Sequence, residues 1–174
     1  MPHHAMSTPQ DANGWIDFAA AGEAERWFSV NDNVMGGVSS GQLDAGTQTG
    51  VFHGITSLQN NGGFASVRRH LASAELAGCR TLILLAKGDG RAYQLRLRQQ
   101  RSRSAIAWRH CFTTTSDWQT VILPLADFAA VFRGRPVADA GAVDAAAVCD
   151  IGIMIADGRA GPFRLELQQI LQQS

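Results

Sequence analysis

The chain has 174 residues, 45% apolar and 17% charged, which suits one soluble domain around a single core. Fifteen basic and fifteen acidic residues cancel, removing the long-range attraction that nucleic acid or an anionic membrane surface rewards. Lys87 is the only lysine, so the basic charge is nearly all arginine, the side chain suited to planar, bidentate acceptors.

Met1 to Gly14 has no apolar run, no arginine and an acidic Asp11, so it reads as a flexible tail and neither a secretory signal nor a typical transit peptide. Residues 15–172 read as a single domain, and no stretch approaches the roughly 20 apolar residues of a membrane span. Strands are predicted near 15–19 and 26–30. The second leads into Asn31-Asp32-Asn33-Val34-Met35-Gly36-Gly37-Val38-Ser39-Ser40-Gly41. Asn and Asp side chains satisfy turn amides, and paired glycines permit positive φ or close backbone approach. Such a run is either a hydrogen-bonded turn locking two sheets or a contact surface, and Met35 among polar neighbours speaks for contact.

A strand over 49–58 follows, and then a second run of the same kind, Asn60-Asn61-Gly62-Gly63-Phe64-Ala65-Ser66-Val67-Arg68. Asn61-Gly62 is a hairpin signal, and alternation through the strand at 64–71 puts Phe64, Ser66 and Arg68 on one face. The two runs together predict one composite site of Asn31, Asp32, Asn33, Met35, Gly36, Gly37 and Ser39 with Asn60, Asn61, Gly62, Gly63, Phe64, Ser66 and Arg68. An Asp32–Arg68 pair is expected where the loops meet.

Ser73–Ala77 reads as a short helix and 81–87 as a strand. Leu82 to Ala86 is continuously apolar, as in a central strand covered on both faces. After Gly88-Asp89-Gly90-Arg91, the strand 92–99 sets Tyr93, Leu95 and Leu97 against Gln94, Arg96 and Arg98. The next, 105–112, sets Ile106, Trp108 and Phe112 against Arg109 and Cys111. Strand 117–123 precedes short helices at Ala126–Val131 and Ala140–Ala147, the latter within an irregular excursion from Arg133. Strands 148–156 and 163–170 close the chain, the last setting Phe163, Leu165 and Leu167 against Arg164 and Glu166. If these strands share a sheet, Arg96, Arg98, Arg109 and Glu166 form an arginine-rich floor. That floor is either a solvated face with weak ion pairs or a surface for an acidic or polyhydroxyl partner. Short strands at this spacing predict an all-β sandwich or barrel.

Catalytic patterns find little support. Gly37-Val38-Ser39-Ser40-Gly41 fits G-x-S-x-G, but no helix follows it. His53, His70 and His110 lack metal-ligand spacing, and neither a phosphate loop nor a dinucleotide fingerprint is present. Nothing in the spacing brings two of the carboxylates Asp32, Asp89, Asp157 and Glu166 to glycosidase distance. Cys79, Cys111 and Cys149 form no C-x-x-C and are expected as buried free thiols, which favours a cytoplasmic setting.

The two Asn/Gly runs, Trp27, Gly88-Asp89-Gly90-Arg91-Ala92-Tyr93, Trp118 before Leu123-Pro124-Leu125, Phe128 with Phe132-Arg133-Gly134-Arg135, and Ile151-Gly152-Ile153-Met154-Ile155-Ala156-Asp157 together carry a resemblance. In order and spacing, from about Trp15 to Ile170, the chain resembles the complex I intermediate-associated protein 30 family. The resemblance implies a jelly-roll β-sandwich of the galactose-binding-like type. It also implies a non-catalytic assembly role through protein contacts, as in members that associate with intermediates of respiratory NADH:ubiquinone oxidoreductase. Asp89, Arg91, Tyr93, Arg133 and Asp157 are its further motif positions. The alternative is a carbohydrate or other small ligand on the concave sheet face or rim loops. Domains of this type often carry calcium, for which Asn31, Asp32 and Asp157 are oxygen donors, but no spacing singles out a metal site, and no cofactor is expected.

Overall fold

A computed structural model describes residues 9–101 and 105–174, with the side chains of Val34 and Met35 outside the description. Its thirteen strands are β1 (Ala12–Asp17), β2 (Trp27–Ser29), β3 (Ser40–Ala45), β4 (Gly50–Thr56), β5 (Ala65–His70), β6 (Thr81–Lys87), β7 (Ala92–Arg98), β8 (Ala107–Thr113), β9 (Gln119–Pro124), β10 (Ala129–Phe132), β11 (Arg135–Pro136), β12 (Asp150–Ile155) and β13 (Gly161–Gln173). They form two antiparallel sheets. One has the order β3-β4-β13-β6-β9 with β1 also on β13, and the other β11-β10-β8-β7-β12-β5-β2. The fold is the all-β jelly-roll sandwich expected.

Alternation builds the core between the layers. Tyr93, Leu95 and Leu97 of β7 and Ile151, Ile153 and Ile155 of β12 point inward, facing Phe52, Leu82, Leu84, Phe163, Leu165 and Leu167 from the other sheet. Phe52 packs 4.9 Å from Phe163 and 6.3 Å from Tyr93, centroid to centroid, in tilted and edge-on geometry. Each such fully buried side chain contributes roughly 1.5–3 kcal/mol. The continuously apolar segments lie centrally: β6 sits between β13 and β9, and β12 between β7 and β5.

Strand β13 organises its sheet by changing neighbours along its length. Gly161 to Leu167 pairs with β4, and Gln169 to Gln173 pairs with β1 on that same flank. The opposite flank pairs with β6 across a bulge between Leu167 and Gln169. Its partner β1 takes in Ala12 to Gly14, which had been expected in the tail.

Four segments differ from expectation. Ala126–Val131 is not helical: after a single 3-10 turn at Leu125–Asp127, Ala129 to Val131 pair with β8, because Ala130 and Val131 are buried there. Ser73–Ala77 is a series of turns, and in Ala140–Ala147 only Ala145–Ala147 closes a 3-10 turn. Ser40–Ala45, predicted as no element, is the edge strand β3.

The connection β2–β3 carries the chain from the seven-stranded sheet to the other, and β4–β5 brings it back. These two crossovers are the Asn/Gly runs. Because β2 pairs with β5 and β3 with β4, both crossovers fall at the same end of the sandwich.

Candidate functional site

The two runs are joined by the fully buried side chain of Asp32. Its Oδ1 accepts from the Ser39 N–H at 2.9 Å, and its Oδ2 from the N–H groups of Gly63 at 2.7 Å and Phe64 at 3.3 Å. The Asp32 N–H in turn donates to the Phe64 carbonyl at 3.2 Å. Asn31 spans the same gap, accepting from the Ser66 N–H and donating to the Gly41 carbonyl, both at 3.2 Å. Asn60 Nδ2 donates to the Gly36 carbonyl at 3.1 Å. Ser39 and Ser57 clasp each other, the Ser57 N–H donating to Ser39 Oγ at 2.9 Å and that hydroxyl donating to the Ser57 carbonyl at 3.2 Å. Ser66 Oγ donates to the Val30 carbonyl.

The glycines fit around this carboxylate. Gly36 has φ +86°, a left-handed conformation that side chains disfavour. A Cβ on Gly37 would stand 2.4 Å from Asp32 Cγ, and one on Gly62 2.6 Å from Asp32 Oδ2. Burial alone would raise the Asp32 pKa, but hydrogen bonds from Ser39, Gly63 and Phe64 outweigh it and hold the carboxyl below its ordinary value. Asn33 and Asn61 are exposed at this rim, and the Met35 side chain lies outside the described residues.

The expected Asp32–Arg68 pair is not made. Asp32 is filled by backbone N–H donors, and Arg68 lies on the outward face of β5, where it neighbours Phe28 and Gly152. The same donors make Asp32 unsuited to a cation, since positive N–H ends already converge on both oxygens. Asp157 is likewise taken: Arg91 Nε and Nη2 donate to it at 2.8 and 2.6 Å. Among the described residues no cluster of three His, Cys, Asp or Glu side chains is placed to hold a metal ion.

Arg91 is a buried bolt, donating also to Thr56 Oγ1 and to the carbonyls of Arg159, Gly161 and Pro162. Asp89 accepts from the Tyr93 hydroxyl at 3.1 Å and from the Arg164 N–H at 2.7 Å. Tyr93 is core, with a pKa raised beyond the normal range by burial and the nearby Asp89 carboxylate. The motif Gly88 to Tyr93 thus ties β7 to the β12–β13 turn. Arg133 is exposed, its guanidinium 5.3 Å from the Phe132 ring centroid.

On the outward face of the seven-stranded sheet, cross-strand register places Phe28, Arg68, Gly152, Arg96, Arg109 and Ala129 in one transverse row. The next row holds His70, Asp150, Arg98 and Ala107. Arg96 Nη1 donates to Gln94 Oε1 at 2.8 Å, and Arg98 Nη1 to the Ala105 carbonyl at 3.4 Å. Asp150 Oδ1 lies 2.6 Å from His70 Nδ1 and 3.4 Å from Arg101 Nε. Burial, together with Arg98, pushes the Arg68 pKa down to about 10. Burial with Arg98, Arg109 and Arg68 does the same for Arg96.

Glu166 is not part of this floor. It lies on β13 in the other sheet and pairs with exposed Arg164 at 2.8 Å. The three cysteines are free thiols, but only Cys79 is buried; Cys149 is partly buried and Cys111 is exposed on β8 beside Gln94. Sequence reasoning also missed the buried pair of Arg69 with Glu23 at 2.7 Å, to which Trp27 Nε1 donates at 3.2 Å. The alternation that sends Arg68 outward sends Arg69 inward, and that was the available signal.

No helix among the described residues is long and apolar enough to cross a membrane. The fold is similar to that of a family 11 carbohydrate-binding module from Clostridium thermocellum, solved with a β-1,3-1,4-mixed-linked tetrasaccharide. The TM-score is 0.69 at 16% identity, over 96% of this chain and 98% of that one. It is also similar to part of an agarase, AgWH50C, with a TM-score of 0.63 at 14% identity, over 95% of this chain and 25% of that one. No curated protein sequence matches the chain. The model of the family described as Complex I intermediate-associated protein 30 matches residues 16–167. With nearly the whole sandwich inside that match, including both Asn/Gly crossovers, the chain belongs to the complex I intermediate-associated protein 30 family.

Proposed function

We propose that the chain is a non-catalytic binding and assembly module that holds a protein partner at the rim where the two Asn/Gly crossovers meet. The observation that carries this reading is the aliphatic surface beside a rigid clamp. Val38, Ile55 and Leu58 are 54%, 58% and 49% exposed on the two segments joined by the Ser39–Ser57 clasp. Branched aliphatic side chains bury well against a protein, whereas sugar rings favour aromatic platforms. Loops fixed by Asp32 present these groups without an ordering cost on binding. The family's name, which ties it to an intermediate of complex I, supports an assembly intermediate as the partner. The test is recovery of partners by the tagged chain from its native cell. Val38→Ser with Ile55→Ser should abolish recovery while leaving the melting temperature near wild type, and undiminished recovery would refute the rim.

A saccharide on the outward face of the seven-stranded sheet is the second reading. Phe28 favours it: this ring is 39% exposed at the end of the arginine row and packs 4.9 Å from His70. The carbohydrate-binding fold neighbours agree with it.

A further inference from the structure

We propose that the row Arg68–Gly152–Arg96–Arg109 is an oxyanion site that takes the carboxylates of an acidic polysaccharide lying across the strands. The inference deepens the saccharide reading of this face and is independent of the rim.

Arg96 and Arg109 stand directly opposite each other on neighbouring antiparallel strands, a placement that destabilises a sheet when both are charged. Arg68 and Arg96 flank Gly152 on either side. Among the described residues the one carboxylate in the paired rows is Asp150, already engaged by His70 and Arg101. Arg68, Arg96, Arg98 and Arg109 thus outnumber the single carboxylate near them, Asp150, which acts on Arg68 and Arg98 as well. Burial first, and the neighbouring arginines after it, lower the pKa values of Arg68 and Arg96 to about 10, which still leaves both charged at neutral pH.

Gly152 makes the arrangement usable. With no side chain at Gly152, the Arg68 stem lies over it, its Cγ 3.4 Å from where a Cβ would stand, and the strands bearing Arg68 and Arg96 are about 10 Å apart, so two guanidinium forks can converge on one carboxylate. The recess, lined by Arg68, Arg96, Arg98 and Gly152 and also by the Asp150 carboxylate that His70 and Arg101 engage, has a volume of about 10 Å³, room for one water-sized group. It admits an oxyanion oxygen and not a sugar ring, so the ring lies above the floor. Phe28 at the row's end offers a ring face such a chain can pack on.

The same geometry disfavours other polyanions. An acidic peptide cannot add as a strand, because β5, β12, β7 and β8 are paired on both sides, which leaves it only side-chain contacts with the arginines, the case poly-glutamate tests. Nucleic acid binding rests on a wide basic field, which the neutral chain does not supply.

The test is isothermal titration of the full chain with polygalacturonate, alginate and hyaluronate. Fully methyl-esterified polygalacturonate and poly-glutamate serve as controls. At least one uronate polymer should bind. Esterification, Arg68→Gln and Arg96→Gln should each weaken binding about 10- to 100-fold, the loss expected of a charged hydrogen bond. Arg96→Gln should melt no lower than wild type, because it removes a like-charge contact; Ile55→Ser should bind uronate normally. Equal binding of ester and acid would overturn the oxyanion site while leaving the saccharide reading in place. Equal binding of poly-glutamate, or no binding of any of the three polymers, would overturn the proposal, and neither result would bear on partner capture at the rim.

Discussion

Replacing Asp32 by alanine should be among the most destabilising single changes in this protein. The carboxylate is fully buried and accepts from three backbone N–H groups, those of Ser39, Gly63 and Phe64. Leaving a buried donor without an acceptor costs about 1–3 kcal/mol each. Removing the carboxylate also removes its own desolvation penalty, which offsets part of that loss. The net expectation is about 3–4 kcal/mol, a large share of the 5–15 kcal/mol typical of a domain. At this chain length that corresponds to about 6–16 °C in Tm. Asp32→Asn should be nearly as harmful, because its amide turns N–H groups toward N–H groups. Asp44→Ala is the control: this exposed carboxylate pairs with His53 at 2.7 Å and should cost less than about 1 kcal/mol. Urea unfolding followed by tryptophan fluorescence measures all three. A loss below about 1 kcal/mol for Asp32→Ala would show that the crossovers hold each other without the clamp.

Three further outcomes are expected. Gly36→Ala and Gly37→Ala should each lose more than about 1 kcal/mol in the same assay, the first through its positive φ and the second through collision with Asp32; two neutral results would remove the need for glycine here. Stability should fall as the solution is acidified: hydrogen bonds hold Asp32 below its ordinary 3.8, and hydrogen bonds from Arg91 do the same for Asp157 against the effect of burial. With folded values below unfolded ones, both contributions are complete above about pH 4 and are lost as pH drops through the folded values. Asp32→Ala should flatten that acid limb, and an unchanged limb would contradict its role. Thiol titration without reductant should find three thiols in the denatured chain, and in the native chain exposed Cys111 should react before buried Cys79; recovering one thiol would mean a disulfide.

What the sequence disclosed follows from how local each signal is. Alternation in Ala92 to Arg98 announces both the strand and its two faces, because side-chain direction is a property of a single strand. Which strands share a sheet is not local. Alternation along its strand groups Glu166 with the arginine floor, yet it lies in the opposite layer. Ala126–Val131 looks helical by composition, and pairing with β8 overrides that preference. β3 escaped notice because its inward positions, Gly41 and Leu43, carry one large apolar side chain between them. The meeting of the two crossovers was legible from their shared composition. The partners of Asp32 were not, since backbone N–H groups leave no mark in a sequence and an arginine at the right spacing was the visible candidate.

The rim reading is tested most directly by crosslinking in the native cell. A photoreactive residue at Leu58, on the rim, is compared with one at Ile122, an exposed apolar position on β9 at the far edge of the same sheet. The photoreactive residue at Leu58 is expected to capture the protein that co-purifies with the wild-type chain, and the one at Ile122 to capture none of it. Capture from Ile122 with none from Leu58 would place the partner away from the crossover rim and refute that site.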